Sequence, residues 1–431
     1  MARRCNSKGL TRVEVLVVAF VGMFVLSLLP AGCRRAKSNA PAAETDSKDL
    51  KQTIVVATLD CPLPEHKNAI WCSTFQMAWD KLKQDIIGEP IQILGAEELA
   101  NRLNQAQFPV GSIEEKSYYA VAGLVKKGII QQIRKDMARR FPSEPVPTFD
   151  DRYTTYPDVM LAYAYLNVDI RFKHPYCTCE RGLGFTDSAG VQANVAAFCA
   201  HAPGPGRARG IEAIRGQVEV LFYDSDGSSG PAQFAVDLSK QTQPYQVILA
   251  RMPRCNTLRK AAKTLQDKIT ASQNDPSYKT WRGLQHGDTL FVPDVLYKLT
   301  HHFDELLNKN FGNQKWREYF LFEALQKIDF TLSRTGVILR SEARMKAAPA
   351  KAPERRHLHF DRPFLICVQR REPNATPFFL MWVVIRARCR ARGNTALSPR
   401  RTPARGSGYG APSVPVMHPQ AGSRRNGQRS A

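Results

Sequence analysis

Four titratable residues stand closest to a recognisable chemical pattern. Cys177-Thr178-Cys179 is followed by Cys199-Ala200-His201, two pairs of soft ligands separated by 19 residues, with His174 nearby. Such a set suits zinc by composition, although C-x-C and C-x-H are unusual spacings for it. In an oxidising compartment the same residues offer a second chemistry, a disulfide between Cys177 or Cys179 and Cys199. Asp224-Ser225-Asp226-Gly227 begins like a calcium loop but lacks the remaining oxygen ligands, and reads as a turn. No nucleophile elbow, H-E-x-x-H, phosphate-binding loop or dinucleotide fingerprint occurs, so neither an enzyme nor a cofactor is expected.

A different pattern follows Gly336. Val337, Leu339, Ser341, Ala343, Met345 and Ala347 share one parity, while Ile338, Arg340, Glu342, Arg344 and Lys346 share the other. A strand with one face in a core and one in water needs this alternation. No proline interrupts residues 337–348, whereas Pro349 and Pro353 come afterwards, where a ladder would no longer need their N–H groups.

The elements that would position these residues begin near Thr53. Residues 53–59 read as a strand, residues 73–86 as a helix behind a Ser73 to Gln76 capping pattern, and residues 96–105 as a second helix. A longer helix is expected from Ser112 toward Phe141, weakened at Gly123 and Gly128 and ended by Pro142. Strand patterns follow at residues 159–173, 217–223, 233–238 and 245–252. Helices near residues 257–269 and 299–308, the second holding His301 and His302, interrupt the strands before residues 328–332 and 363–369 resume them. Helices first and strands afterwards imply an α+β fold with large mixed or antiparallel sheets.

The formal charge of +22 on 431 residues suggests a polyanion partner until it is located. Residues 1–37 hold a net +6 and residues 385–431 a net +10, which leaves +6 for the body. A nearly balanced body argues against nucleic acid as the partner. Residues 15–31 form an apolar run with basic residues on both sides, at the short limit for a membrane span. It fits an anchoring helix, a cleaved secretory signal, or a lipoprotein signal ending at Cys33. The organisation expected is a basic leader and membrane helix in residues 1–35, a flexible tether in 36–52, one domain in 53–384, and a disordered Arg-rich tail in 385–431.

Two resemblances add to this. Gly9, Leu10 and Glu14 ahead of the apolar run resemble the leader of type IV pilin-like proteins, which implies cleavage after Gly9 and a pairing role for Glu14. Phe360-Asp361-Arg362-Pro363-Phe364 with the apolar residues after it resembles the carboxy-terminal signature of serpins, and residues 165–176, 246–265 and 286–307 match further pieces of that family in order and spacing. The resemblance covers roughly residues 55–384. It implies an exposed reactive-centre loop with its hinge at Gly336, Val337 and Leu339, and recognition by a trypsin-like protease at Arg344, Lys346 or Lys351. Bulky Val337 and Leu339 depart from the small residues usual there, and overfilling a packed slot costs ~1–3 kcal/mol. The expectation is a membrane-anchored envelope protein whose body lies outside the cytoplasm, in the periplasm or at the cell surface. It would be a non-inhibitory binding scaffold or a protease inhibitor. A pilin-like assembly subunit is the alternative.

Overall fold

The computed structural model describes residues 45–149, 159–200, 210–225, 231–321, 323–336, 355–373 and 375–384. The leader, with Gly9, Leu10 and Glu14, the apolar run and the Arg-rich tail lie outside them. None of the described helices is long and apolar enough to cross a membrane.

The fold is α+β with large mixed and antiparallel sheets. Its back is a seven-stranded sheet in the order β10 (Glu219–Asp224), β11 (Gln233–Asp237), β12 (Tyr245–Arg251), β17 (Phe364–Arg370), β18 (Phe379–Val383), β3 (Asn68–Cys72) and β2 (Thr53–Val55). Neighbours are antiparallel except β2 with β3. The runs FLICVQR and FLMWV are apolar without alternation because both faces of the central strands are covered. Helix α5 (Leu258–Gln273) packs on this sheet through Leu258, Ala261, Leu265 and Ile269, and Thr257 caps it by accepting from the Lys260 N–H at 3.1 Å.

The front carries two separate strand groups. β4 (Tyr118–Leu124) pairs with β5 (Met160–Leu166), and β1 (Thr45–Asp46), β14 (Val295–His302) and β15 (Leu325–Leu332) form a three-stranded sheet. Helix α1 (Thr74–Leu82) packs against β4, β5 and β15, α2 (Glu97–Gln105) packs on α1, and α3 (Ile129–Arg140) covers the other face of β4. A third sheet orders β16 (His357–His359), β13 (Thr289–Pro293), β9 (Ala197–Cys199) and β6 (Cys177–Thr178). The described residues also form the hairpin β7 (Leu183–Thr186) with β8 (Gln192–Val195) and the short helices α4 (Ile211–Gly216) and α6 (Tyr278–Trp281).

Three expectations need correction. Residues 118–124 are a strand and not the start of a helix running from Ser112. Their two parities face different clusters, Tyr119 and Val121 toward α3, Tyr118 and Ala120 toward the main core, so the alternation is hidden. The helix begins only at Ile129, after Gly128 turns the chain at φ +81°. Residues 299–302 continue a strand, with Val295, Tyr297 and Leu299 buried on one parity. Only the short turn Asp304–Leu306 is helical there. Finally, residues 45–52 are not tether: Thr45 and Asp46 lie parallel to Leu299 and Thr300, and buried Ser47 meets His301 Nδ1 at 2.7 Å.

Candidate functional site

The candidate site lies at two strand edges, with the turn Ser333 to Gly336 at one end. β5 is laddered only to β4, and β15 only to β14, among the described residues. Both strands rest on α1, and burial together with a hydrogen bond to Glu144 raises the Tyr165 phenol. Each strand therefore has one edge without a ladder among the described residues. Met160, Ala162, Ala164 and Leu166 pack on the main core, and Leu161, Tyr163 and Tyr165 on the α3 cluster, yet every residue of β5 keeps intermediate exposure. With both faces covered, that exposure belongs to the open edge. Burial pushes the Tyr163 phenol up to about 12.

Both strands run to one meeting point. Just beyond β5, Arg171 forms an antiparallel bridge with Gly336, just beyond β15. The chain reverses before that bridge in the turn Ser333 to Gly336, where the Gly336 N–H donates to the Ser333 carbonyl at 3.1 Å. Gly336 has φ +66°, and a Cβ there would stand 2.5 Å from Phe172 N and 2.7 Å from the Ile170 carbonyl oxygen. Only glycine fits. The turn lies on a rigid platform: Phe172 and Tyr176 meet edge to face at 5.0 Å, the Tyr176 hydroxyl donates to the Leu238 carbonyl at 2.8 Å, and the Tyr176 N–H donates to the Arg334 carbonyl at 2.7 Å. Gln217 accepts from the His174 N–H at 3.0 Å and donates back to its carbonyl at 2.5 Å. Residues 337–354, with Val337, Leu339, Arg344, Lys346 and Lys351, lie outside the described residues.

The described chain resumes at Arg355, and the buried Arg356 beside it is an anchor that sequence reasoning missed. Its guanidinium donates to Asp288 Oδ2 through Nε at 3.0 Å and Nη2 at 2.6 Å, and to the carbonyls of Trp281 and Gly283 at 3.0 and 2.7 Å. Its own N–H donates to Asp288 Oδ1 at 2.9 Å, and both side chains are buried. No pattern in the sequence distinguishes Arg356 from Arg355 beside it. β16 then runs parallel to β13.

The Phe360-to-Phe364 piece is the hub that follows. Phe360 is fully buried, edge to face with Phe234 at 5.0 Å and 5.3 Å from Phe364, while Asp361 pairs with Arg251 at 3.0 Å. Arg251 also donates to the His359 carbonyl at 3.0 Å and lies over the Phe234 ring at 4.8 Å. Burial lowers the Arg251 pKa, and Asp361 opposes that shift. Arg362 is exposed, and Pro363 leads into β17. Phe360 and Phe364 both enter the core, while Asp361 turns back to close the Arg251 contact.

The structure brings the three cysteines together but not as metal ligands. Cys177 and Cys199 are direct partners across β6 and β9, and the Cys179 thiol is hydrogen-bonded to Cys199, which together with burial pushes it up. No disulfide joins these three cysteines in the structure. No group of three or more His, Cys, Asp or Glu side chains among the described residues is arranged to hold a metal ion, and His201 lies outside them.

No family model and no curated protein matches the chain. Among solved structures it is similar in fold to serpins. Thyroxine-binding globulin in complex with thyroxine matches at 12% identity, over 74% of this chain and 93% of that one, with a TM-score of 0.40. Native protease nexin-1 with heparin matches at 10%, 74% and 92%, with a TM-score of 0.38. Tengpin, a thermophilic serpin in its native state, matches at 11%, 80% and 100%, with a TM-score of 0.40.

Proposed function

We propose that this chain is a serpin-like binding scaffold that presents residues 337–354 as a cleavable segment, and that the cut segment enters the gap between β5 and β15. The observation that carries this reading is the pair of unladdered edges converging on Gly336. A strand fed from that hinge would meet hydrogen-bonding groups on both sides, and the parity of residues 337–347 would place Val337, Leu339 and Met345 on one face. The energy for insertion comes from the new ladders, so the intact protein is the less stable form. Arg344, Lys346 and Lys351 make the segment a substrate for a trypsin-like protease, whose specificity pocket carries an acid.

Val337 and Leu339 enter first and are bulky for a slot beside Phe172. A cost of ~1–3 kcal/mol at the first step slows insertion. The protease then completes hydrolysis and leaves, so the scaffold reading is preferred over covalent trapping. Carriage on a membrane through residues 15–31, with the body outside the cytoplasm, completes the proposal.

Limited trypsin digestion of the full chain tests it. The expected result is a single cut within 337–354, no SDS-resistant adduct, and a melting temperature raised by ten degrees or more. An adduct would convert the scaffold into an inhibitor. Cleavage that leaves the melting temperature where it was removes insertion.

A further inference from the structure

Cys177, Cys179 and Cys199 lie between the two anchors of the segment. Cys177 directly follows Tyr176, whose backbone holds the hinge turn through Arg334. Cys199 stands opposite Phe291 on β13, and Phe291 stands opposite His359 on β16, with the two rings 4.8 Å apart. Cys177, Cys199, Phe291 and His359 thus form one row across four strands, from the hinge platform to the strand on which the segment returns.

The three thiols are not equivalent. Cys177 is half-buried on the edge strand β6, whereas Cys179 and Cys199 are buried, at 8% and 1% exposure. Directly opposed residues of an antiparallel pair have Cα atoms about 4.5–5.5 Å apart, which is the span of a disulfide. The hydrogen bond with Cys199 and burial raise the Cys179 thiol, which disfavours its thiolate.

We propose that these residues form a thiol–disulfide exchange site: Cys177 reacts with a small-molecule disulfide, Cys199 resolves the product, and the resulting Cys177–Cys199 bond ties the hinge platform to the sheet that holds the far end of residues 337–354. In the first step the Cys177 thiolate attacks R–S–S–R, forming Cys177–S–S–R and releasing one R–S⁻. In the second the Cys199 thiolate attacks the Cys177 sulfur, forming the protein disulfide and releasing the second R–S⁻. Two protein thiols are oxidised, one small disulfide is reduced to two thiols, and the two protons pass to the leaving thiolates. The bond itself stands apart from the protease reading. Only its consequence, restraint of the hinge during insertion, rests on that reading.

The test incubates the full chain with oxidised glutathione, blocks remaining thiols by alkylation, and maps peptides without reduction. The expected result is a Cys177–Cys199 linked pair, removed by dithiothreitol, with Cys72 and Cys367 recovered alkylated after unfolding. Hydrogen exchange at the Tyr176 amide should slow several-fold in the oxidised wild type and stay unchanged by oxidant in Cys177→Ser, which alters only the half-buried position. Recovery of Cys177 unlinked, or carrying glutathione that Cys199 never displaces, overturns the proposal, as does a Cys179–Cys199 link formed at the wild-type rate in Cys177→Ser. If the bond forms but trypsin cleavage never raises the melting temperature, the insertion reading fails and the exchange site remains.

Discussion

The back sheet and the front strands are built from similar residues to opposite ends. In the back sheet Leu365, Ile366, Leu380 and Met381 have no exposure, and each central strand is laddered on both sides. In the front, β5 is equally apolar but half-exposed along its whole length, because one ladder is missing. Packing alone does not complete a strand: β5 has a ladder on one edge only among the described residues. The back sheet is laddered throughout its centre, whereas β5 and β15 each have one unladdered edge among the described residues.

The sharpest way to break this contrast is to truncate one side chain in each region. Trp382, at 1% exposure between β17 and β3, should cost about 3–5 kcal/mol when replaced by Ala. Leu161→Ala on half-exposed β5 should cost about 1 kcal/mol, since less area returns to water. Urea unfolding of the two variants measures both. Equal losses would mean that the front strands hold the body together as firmly as the back sheet does.

The same contrast divides the two anchors. Asp288→Ala leaves the Arg356 guanidinium buried without its carboxylate, a change that costs ~3–5 kcal/mol where a buried pair is broken. Gly336→Ala meets backbone atoms at 2.5 and 2.7 Å in a left-handed conformation, worth roughly 1–3 kcal/mol of local strain, which the turn relieves by leaving the platform. Asp288→Ala should therefore lower the melting temperature more. Gly336→Ala should instead speed proteolysis near Thr335 with a smaller thermal effect. The reverse ranking would make the hinge the structural anchor and the Arg356 end the mobile one.

Legibility in the sequence followed the same division. The strands at 219–224, 233–237, 245–251 and 364–370 were readable because apolar runs bounded by turns or proline point to buried strands. The front was misread where residues have apolar neighbours on both faces, as at Tyr118 to Leu124, and where a strand ends in His301 and His302 before a helical turn. Gly336 was singled out through the serpin resemblance alone, and its neighbours' residue types do not by themselves report its φ of +66°. The Arg356–Asp288 pair was not legible, because its partners are 68 residues apart and only the fold brings them together.

The smallest effect lies at the outer edge of the front sheet, where β1 meets β14. His301 has its pKa lowered from 6.5, chiefly by burial, against a partial pull upward from Glu305 and Asp304. Its ring sits edge to face on Phe303 at 4.5 Å and meets Ser47 Oγ at 2.7 Å. A folded-state pKa below the unfolded one means that the unfolded chain takes up the proton first, so stability is full above pH 6.5 and falls as pH drops through that value toward the folded pKa. His301→Gln removes this titration while keeping a group able to reach Ser47. Wild type should lose melting temperature between pH 7 and pH 5.5 by a degree or two more than the variant, and amide exchange in residues 45–47 should rise over the same window. Trp382 has no titrating group, so the back sheet supplies no such slope. A wild type and variant that lose stability in parallel would place the acid sensitivity elsewhere and leave the β1 edge as firmly held as the strands behind it.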